Sequence, residues 1–180
     1  MIKNASQIAL GGGKRREKDF YPTPAECTVA LLDFLESKQA KINRVWECAA
    51  GNGAIANVLE SRLVDTVQTD IISGTDFLYA DLPDGVDWII TNPPFSLAEQ
   101  FIRRAACFNV PFAFLLKSQF WHSGKRYSLF MERRPRFVLP LTWRPDFTGQ
   151  GSSLMDVLWC VWDADISRQE TIYIPLKKPR

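Results

Sequence analysis

The tetrapeptide Asn92-Pro93-Pro94-Phe95 brings together functional groups that suit the chemistry of an amine. The Asn92 side chain and the Pro93 carbonyl each offer an acceptor oxygen, and neither proline has an N–H that could compete. Two acceptors held side by side can bind both hydrogens of a planar NH2 group, which favours the pyramidal geometry in which the nitrogen lone pair can attack. Phe95 could then stack on a flat substrate. The alternative is a simple turn after a strand, because Asn-Pro commonly opens turns.

The apolar run at residues 88–90 predicts the element that positions this tetrapeptide. It follows a turn at residues 83–85 and stops at two prolines, a pattern typical of a buried parallel strand. Open α/β sheets bind ligands beyond the carboxyl ends of such strands. We therefore expect Asn92 to lie at a ligand-binding edge.

Residues 44–56 predict a strand, a glycine-rich turn and the start of a helix over residues 55–63. Gly51, Gly53 and Ala56 fit the spacing G-x-G-x-x-G/A, in which missing side chains let a ligand approach the backbone. Glu47 at the strand end would repel a pyrophosphate but suits a ligand that carries positive charge.

A second strand is predicted over residues 66–72, and it contains an acid, Asp70, that lies 17 residues beyond Gly53. A carboxylate at the tip of a second strand can accept hydrogen bonds from both hydroxyls of a ribose. We therefore predict that Asp70 is a ribose ligand. The alternative is a solvated turn aspartate, which would leave the glycine turn unexplained.

The remaining elements alternate between helices and buried runs, which predicts an α/β protein with a doubly wound sheet. Thr23 and Pro24 suit the N-cap and first turn of a helix. Another helix is expected over residues 97–108, and a strand at 111–116 is counted as the fifth. The last three runs have no helix between them and predict antiparallel strands that close the sheet edge, at residues 136–141, 154–162 and 171–175.

The loop at residues 117–126 leaves the carboxyl end of the strand at 111–116 and overhangs the predicted site. Aromatic and basic residues interleave in it, which suits a stacked base and a phosphate. The alternative is a helix start with Phe120 and Trp121 packed beneath it, and the sequence does not separate the two.

Composition limits these interpretations without deciding between them. The chain has 180 residues, 46% of them hydrophobic, and a formal net charge of +2. That length predicts one domain, at residues 19–180, preceded by a mobile basic arm at residues 1–18. The four cysteines are widely spaced and His122 is the single histidine, so the sequence predicts neither a disulfide framework nor a metal site. No apolar run approaches a membrane span, and a cytoplasmic protein is expected.

These motifs, in this order, resemble the class I S-adenosylmethionine (SAM)-dependent methyltransferases, above all the N6-adenine DNA methyltransferases with a γ-like motif order. The resemblance extends over nearly the whole chain from Asp19 onward. It implies a Rossmann-like, mostly parallel seven-stranded sheet with a terminal antiparallel hairpin, and SAM as the cofactor. The chain would be a small form, because its length leaves no room for the separate target-recognition domain that these enzymes usually carry.

The resemblance also implies roles for individual residues. Tyr21 and Thr23 would contact the methionine carboxylate, although Pro22 interrupts the usual Tyr-Thr-Pro order. Asp76 would bind the adenine amino group and Phe77 would cover the ring. The full expected set for the cofactor is Tyr21, Thr23, Glu47, Ala49, Gly51, Gly53, Asp70, Asp76, Phe77 and Asn92. The expected catalytic residues are Asn92, Pro93, Pro94 and Phe95, and the expected substrate-binding residues are Phe95, Trp121, Lys125 and Arg126.

The expected reaction is methyl transfer to N6 of adenine in DNA, with nucleic acid as the partner and a homodimer left open. An RNA or protein-glutamine methyltransferase is the first alternative, because Asn-Pro-Pro-aromatic also presents acceptors to a guanine amino group or a glutamine amide. A noncatalytic SAM-binding partner subunit is the second.

Overall fold

Seven strands form one mixed sheet in a computed structural model that describes residues 22–149, 151, 155–165 and 170–179. The predicted arm at residues 1–18 and Tyr21 lie outside these ranges. The strands are β1 (Arg44–Glu47), β2 (Asp65–Gln68), β3 (Trp88–Thr91), β4 (Phe112–Lys117), β5 (Phe137–Pro140), β6 (Val157–Trp162) and β7 (Ile172–Tyr173).

The strand order is β2-β1-β3-β4-β6-β5-β7. The first four strands of this order are parallel, and β6 runs antiparallel to both β4 and β5. The predicted fold class, a doubly wound α/β sheet with an antiparallel hairpin near its end, is therefore confirmed.

Two strand predictions were wrong in detail. The run at residues 111–116 was counted as the fifth strand, but β4 is fourth, because residues 69–87 contain turns and a 3-10 helix instead of a strand. The last strand, β7, is parallel to its neighbour β5. Since β4 and β5 occupy both edges of β6, β7 joins the sheet at the open edge of β5, where it runs opposite to β6.

Four helices cover the sheet within the described ranges: α1 (Ala25–Ser37), α2 (Ala54–Ser61), α3 (Ala98–Ala105) and α4 (Tyr127–Glu132). The predicted N-cap of α1 was wrong. Pro24 holds that position and makes no side-chain cap, while Thr23 is buried and its hydroxyl bonds elsewhere. The predicted helix at 97–108 is shorter, because a 3-10 turn, Phe95–Leu97, precedes α3.

The apolar side chains form two clusters, one on each face of the sheet, because successive strand residues point to opposite faces. In β1, Val45 belongs to the cluster under α1 and α2, and Trp46 to the cluster under α3 and α4. Burial of each large apolar side chain stabilises the fold by about 1.5–3 kcal/mol. No helix in the described part of the chain is long and apolar enough to span a bilayer.

Candidate functional site

The sheet has two edges relevant to function: the carboxyl edge, where β1, β3 and β4 end, and the amino edge, where they begin. Strands β1 and β3 are neighbours and run parallel. The turn after Glu47 and the tetrapeptide after Thr91 therefore leave the sheet side by side at the carboxyl edge. This is the juxtaposition that the sequence predicted.

The glycine-rich turn requires glycine for its backbone as well as for space. Gly51 and Gly53 have φ angles of +55° and +78°, in the left-handed region that disfavours a side chain. Gly53 immediately precedes α2, and a Cβ there would lie 3.1 Å from Gln68 Oε1. The turn consequently presents bare backbone at the carboxyl edge.

Glu47 is buried, and its Oε2 accepts a hydrogen bond from the Ala56 N–H at 2.8 Å. Ala56 lies in the first turn of α2, so the carboxylate stabilises the positive end of a helix whose preceding residue, Gly53, has no side chain to cap it. Burial is the largest effect on this group and raises the pKa of Glu47 to about 8, while the bond from Ala56 opposes that rise. A cationic ligand beside Glu47 would favour its ionised form.

Asp70 links the glycine turn to the segment that follows β2. Strand β2 ends at Gln68, two residues earlier than a strand carrying Asp70 at its tip would require. The Asp70 carboxylate accepts hydrogen bonds from Gly51 N and Ile72 N, both at 2.9 Å, and caps the 3-10 turn Ile71–Ser73. It thus lies at the carboxyl edge, next to the glycine turn, as predicted.

Asp76 and Phe77 are placed differently from each other. Asp76 Oδ1 accepts a hydrogen bond from Leu78 N at 3.0 Å, within its own turn. Phe77 is only 2% exposed, and its ring packs 4.7 Å from Phe101 and 5.1 Å from Trp46. That side chain completes the core beneath α3, and little of its surface is left to cover a bound ring.

Two apolar residues that the sequence motifs did not include lie beside Asp70. Ile71 and Ile72 are 53% and 77% exposed. An isoleucine pair directly after the acid of a second strand was the signal that could have identified them. They give this end of the site the apolar surface that Phe77 does not provide.

Asn92 is held by a residue from the start of the described chain. Its Nδ2 donates a hydrogen bond to Thr23 Oγ1 at 3.0 Å, and Thr23 is 6% exposed. This bond turns the amide nitrogen towards Thr23 and the amide oxygen to the other side of the group. Pro93 is buried beside it, whereas Pro94 is partly exposed.

Phe95 borders a cavity of about 170 Å³ at the carboxyl edge. The Lys117 ammonium lies 4.3 Å from the centre of the Phe95 ring, within the range of a cation–π contact. The cavity is lined by Phe95, Ala98, Leu116, Lys117, Gln119, Phe120 and Arg126. Its mixed apolar and cationic lining suits a flat group attached to an anion.

The loop at residues 117–126 supports the packed alternative for Trp121. That ring stacks on Phe130 at 4.7 Å between centres, and Phe120 beneath it is buried. Arg126 donates to the Phe120 carbonyl at 3.0 Å and faces the Phe120 ring, and Lys125 is exposed. Of the four predicted substrate-binding residues, the structure places Phe95 and Arg126 on the same cavity.

Comparison with known proteins identifies the fold and no closer relationship. No family model matches the chain. No curated protein matches it either. A solved structure described as a putative RNA methyltransferase from Pyrococcus horikoshii is similar with a TM-score of 0.54 and 14% identity, over 87% of this chain and 92% of that one. A solved structure described as a putative hemolysin from Lactococcus lactis is similar with a TM-score of 0.57 and 10% identity, over 86% of this chain and 94% of that one.

Proposed function

We propose that the protein transfers a methyl group from SAM to an exocyclic amino group, with N6 of adenine in DNA as the favoured substrate. The observation that carries this proposal is the position of Asn92, which lies at the carboxyl edge beside the bare glycine turn with its amide nitrogen bonded to Thr23. An acceptor aimed at an amine and a ligand-binding turn are both needed for such a transfer, and they occur here on adjacent strands.

The residues at the carboxyl edge fit the chemistry of SAM. Gly51 and Gly53 have left-handed φ angles, and the turn that they form offers a ligand backbone without side chains. Glu47 is a buried carboxyl group whose pKa is raised to about 8, and the positive charges of an ammonium and a sulfonium group would stabilise its ionised form. Each Asp70 oxygen accepts a hydrogen bond from the backbone, and because a carboxylate oxygen can accept two, the group also suits a ribose hydroxyl. Bound there, SAM supplies a methyl group activated by its positive sulfur.

The chain's own groups act on the amine. The Asn92 amide oxygen and the Pro93 carbonyl accept its two hydrogens, which localises the lone pair on nitrogen for attack on the methyl carbon. SAM held by Glu47, Asp70 and the glycine turn would supply the methyl carbon and keep the electrons of its C–S bond on sulfur, and the methylated amine would then lose a proton to water. The Phe95 ring stacks on the base and holds it at attacking distance.

RNA is the second candidate substrate, because one of the similar solved structures is described as a putative RNA methyltransferase. An adenine or guanine amino group in RNA presents the same two hydrogens to Asn92. The pocket beside Phe95 does not distinguish the two polymers.

The test is incubation of the full chain with isotope-labelled SAM and separate pools of DNA, RNA and protein, followed by mass spectrometry of the nucleosides and amino acids. Labelled N6-methyladenine in DNA is the expected product. Methylated bases confined to RNA would favour the second candidate, and methylglutamine confined to protein would overturn both.

Asn92→Ala is expected to lower turnover about 100- to 1,000-fold, as when a positioned transition-state hydrogen bond is lost, and to leave the affinity for SAM near that of the parent. Gln39→Gly is the control, because Gln39 is exposed on the loop between α1 and β1, at the amino edge, with a φ of +57° that glycine adopts without strain. An Asn92→Ala protein that keeps most of the activity would contradict the catalytic role of the tetrapeptide.

A further inference from the structure

A second cavity, of about 330 Å³, opens at the amino edge, on the side opposite the tetrapeptide. Phe112 at the start of β4 and Trp162 at the end of β6 lie in its wall, and their rings stack at 4.7 Å with an interplanar angle of 10°. Three arginines that follow α4 also line it: Arg133, Arg134 and Arg136. Nothing in the proposed methyl transfer uses this cavity.

Helix α4 connects the two cavities. The residue before its start, Arg126, lines the cavity beside Phe95, and Met131 and Glu132 near its end line the cavity at the amino edge. Between them, Tyr127 and Met131 are 68% and 51% exposed. They are four residues apart and so lie on one face of the helix.

The exposed face of α4 continues into the arginine cluster. Arg134 Nη2 lies 3.4 Å from Met131 Sδ. The stripe Tyr127, Met131 and Arg134 is therefore continuous, and the six-residue helix α4, at a rise of 1.5 Å per residue, is about 9 Å long. An extended ligand at Phe95 could follow this face to the second cavity.

The charge around α4 differs in sign from that of the rest of the chain. Residues 124–136 contain five basic residues and one acid, a net charge of +4. The whole chain carries +2, so the remaining residues sum to −2. The one acid, Glu132, forms a salt bridge of 3.2 Å with Arg103, which also pairs with Glu99. A polyanion is the class of partner that this surface attracts.

We propose that the exposed face of α4, together with the flanking residues from Arg126 to Arg136, binds a single strand of nucleic acid that leads away from the target base at Phe95. This rests on the proposed function, since it takes Phe95 as the end point of the strand. A single strand fits better than a duplex because an exposed tyrosine ring offers a stacking surface to an unpaired base. Arg133, Arg134 and Arg136, which line the cavity together with Asp163 and Asp165, then contact phosphates.

The test measures binding of the full chain to a fluorescent single-stranded oligonucleotide of about 12 nucleotides, within the usual range of single-strand site sizes. Anisotropy is recorded over a series of salt concentrations, without SAM. The variant Arg133→Gln/Arg134→Gln is expected to bind at least 10-fold more weakly at low salt. The slope of log K against log salt should fall by about 1.4, because each of the two phosphates that these arginines neutralise contributes about 0.7.

Lys177→Gln/Lys178→Gln is the matched control, because it removes the same charge from an exposed pair that lines neither cavity. Its binding and salt slope should match those of the parent. Tyr127→Ala should weaken binding about 5- to 100-fold, and Tyr127→Phe, which keeps the ring, should not.

Equal losses in the two double variants, or no loss in either, would overturn the proposal. Tighter binding of a duplex of the same sequence would overturn the single-strand assignment. Because this measurement requires no turnover, its failure is separate from that of the methyl transfer: oligonucleotide binding through α4 without any methylated product would contradict the proposed function alone.

Discussion

The hydrogen bond from Asn92 to Thr23 joins residues 69 positions apart and gives Thr23 a partner that its sequence motif did not predict. Thr23→Val keeps the shape of the side chain and removes the hydroxyl. We expect kcat to fall up to about 10-fold, because a typical hydrogen bond contributes about 0.5–1.5 kcal/mol, with little change in the Kd for SAM. Thr23→Ser should restore kcat. Steady-state kinetics and calorimetric titration measure the two quantities separately.

Thr28→Val is the control for this substitution. Thr28 is also buried near the start of α1, and its hydroxyl has no hydrogen-bond partner in the described part of the chain. The substitution Thr28→Val should therefore leave kcat unchanged. A Thr23→Val protein with normal kcat and a weakened affinity for SAM would return Thr23 to the cofactor contact that the sequence predicted.

Glu47 predicts a specific dependence of stability on pH. Its pKa is raised to about 8 in the folded chain from an ordinary value of 4.5, so between these values the folded state binds more protons than the unfolded state. The free energy of unfolding therefore falls as pH rises from about 5 to 8, by at most on the order of 5 kcal/mol. In the variant Glu47→Gln, the side chain cannot ionise and keeps an oxygen that can accept the hydrogen bond from the Ala56 N–H.

Urea unfolding of parent and Glu47→Gln without SAM, at pH 5 and pH 8, measures this effect. The variant should be the more stable protein at pH 8, with a smaller difference at pH 5. The same variant should bind SAM more weakly at pH 8, because the charge that offsets the sulfonium and ammonium is gone. A difference in stability that does not depend on pH would show that Glu47 ionises normally.

At the scale of single residues, sequence patterns predicted the position of those functional groups that depend only on neighbouring residues in the chain. The acceptors of Asn92 and Pro93, and the acid Asp70, are found at the carboxyl edge where local spacing placed them. The partner of Asn92 could not be predicted, because Thr23 also fits a helix N-cap and only the folded sheet brings it to β3. The core packing of Phe77 could not be predicted for a similar reason, since a phenylalanine suits a core as well as a ligand cover.

At the scale of elements, the start of α2 depends on the left-handed backbone of Gly53. Gly53→Ala should destabilise the fold by about 1–2 kcal/mol, since a left-handed conformation costs an L-residue that much. Its Cβ would also press on Gln68 Oε1 at 3.1 Å, which a flexible side chain can relieve. Thermal and urea unfolding would measure the loss.

Gly124→Ala is the matched control, because Gly124 has no positive φ and no atom of the described residues lies within 4 Å of its added Cβ. It should change stability by a few tenths of a kcal/mol at most. If the two alanine variants were equally stable, the left-handed turn before α2 would not be a requirement of the backbone.

Most strands and helices could be predicted from runs of apolar residues, whereas the direction of β7 could not. An apolar run predicts a strand because alternate side chains face the two cores, and this is visible in the sequence of β4 or β6 alone. The direction of β7 depends on which edge remains open after β4 and β5 have paired with β6. That is a property of the assembled sheet.

At the scale of the whole molecule, the α/β class could be predicted because strands and helices alternate along the chain. The basic cluster at residues 125–136 was also visible, but its division between two edges of the sheet was not. Helix α4 carries Arg133 and Arg134 to the amino edge while Arg126 stays beside Phe95. The length of one short helix thus separates charges that are adjacent in sequence.

The central position of β6 has a consequence for the protein during its synthesis. β6 fills the gap between β4 and β5, and its Trp159 Nε1 donates to the Cys27 carbonyl at 2.9 Å, over 132 residues. A nascent chain that ends before Val157 has already exposed the apolar edge of β4 and has nothing to pair with it. Completion of the sheet therefore waits for β6 to leave the ribosome, and until then the growing polypeptide presents an unpaired β-edge to chaperones and to other nascent chains.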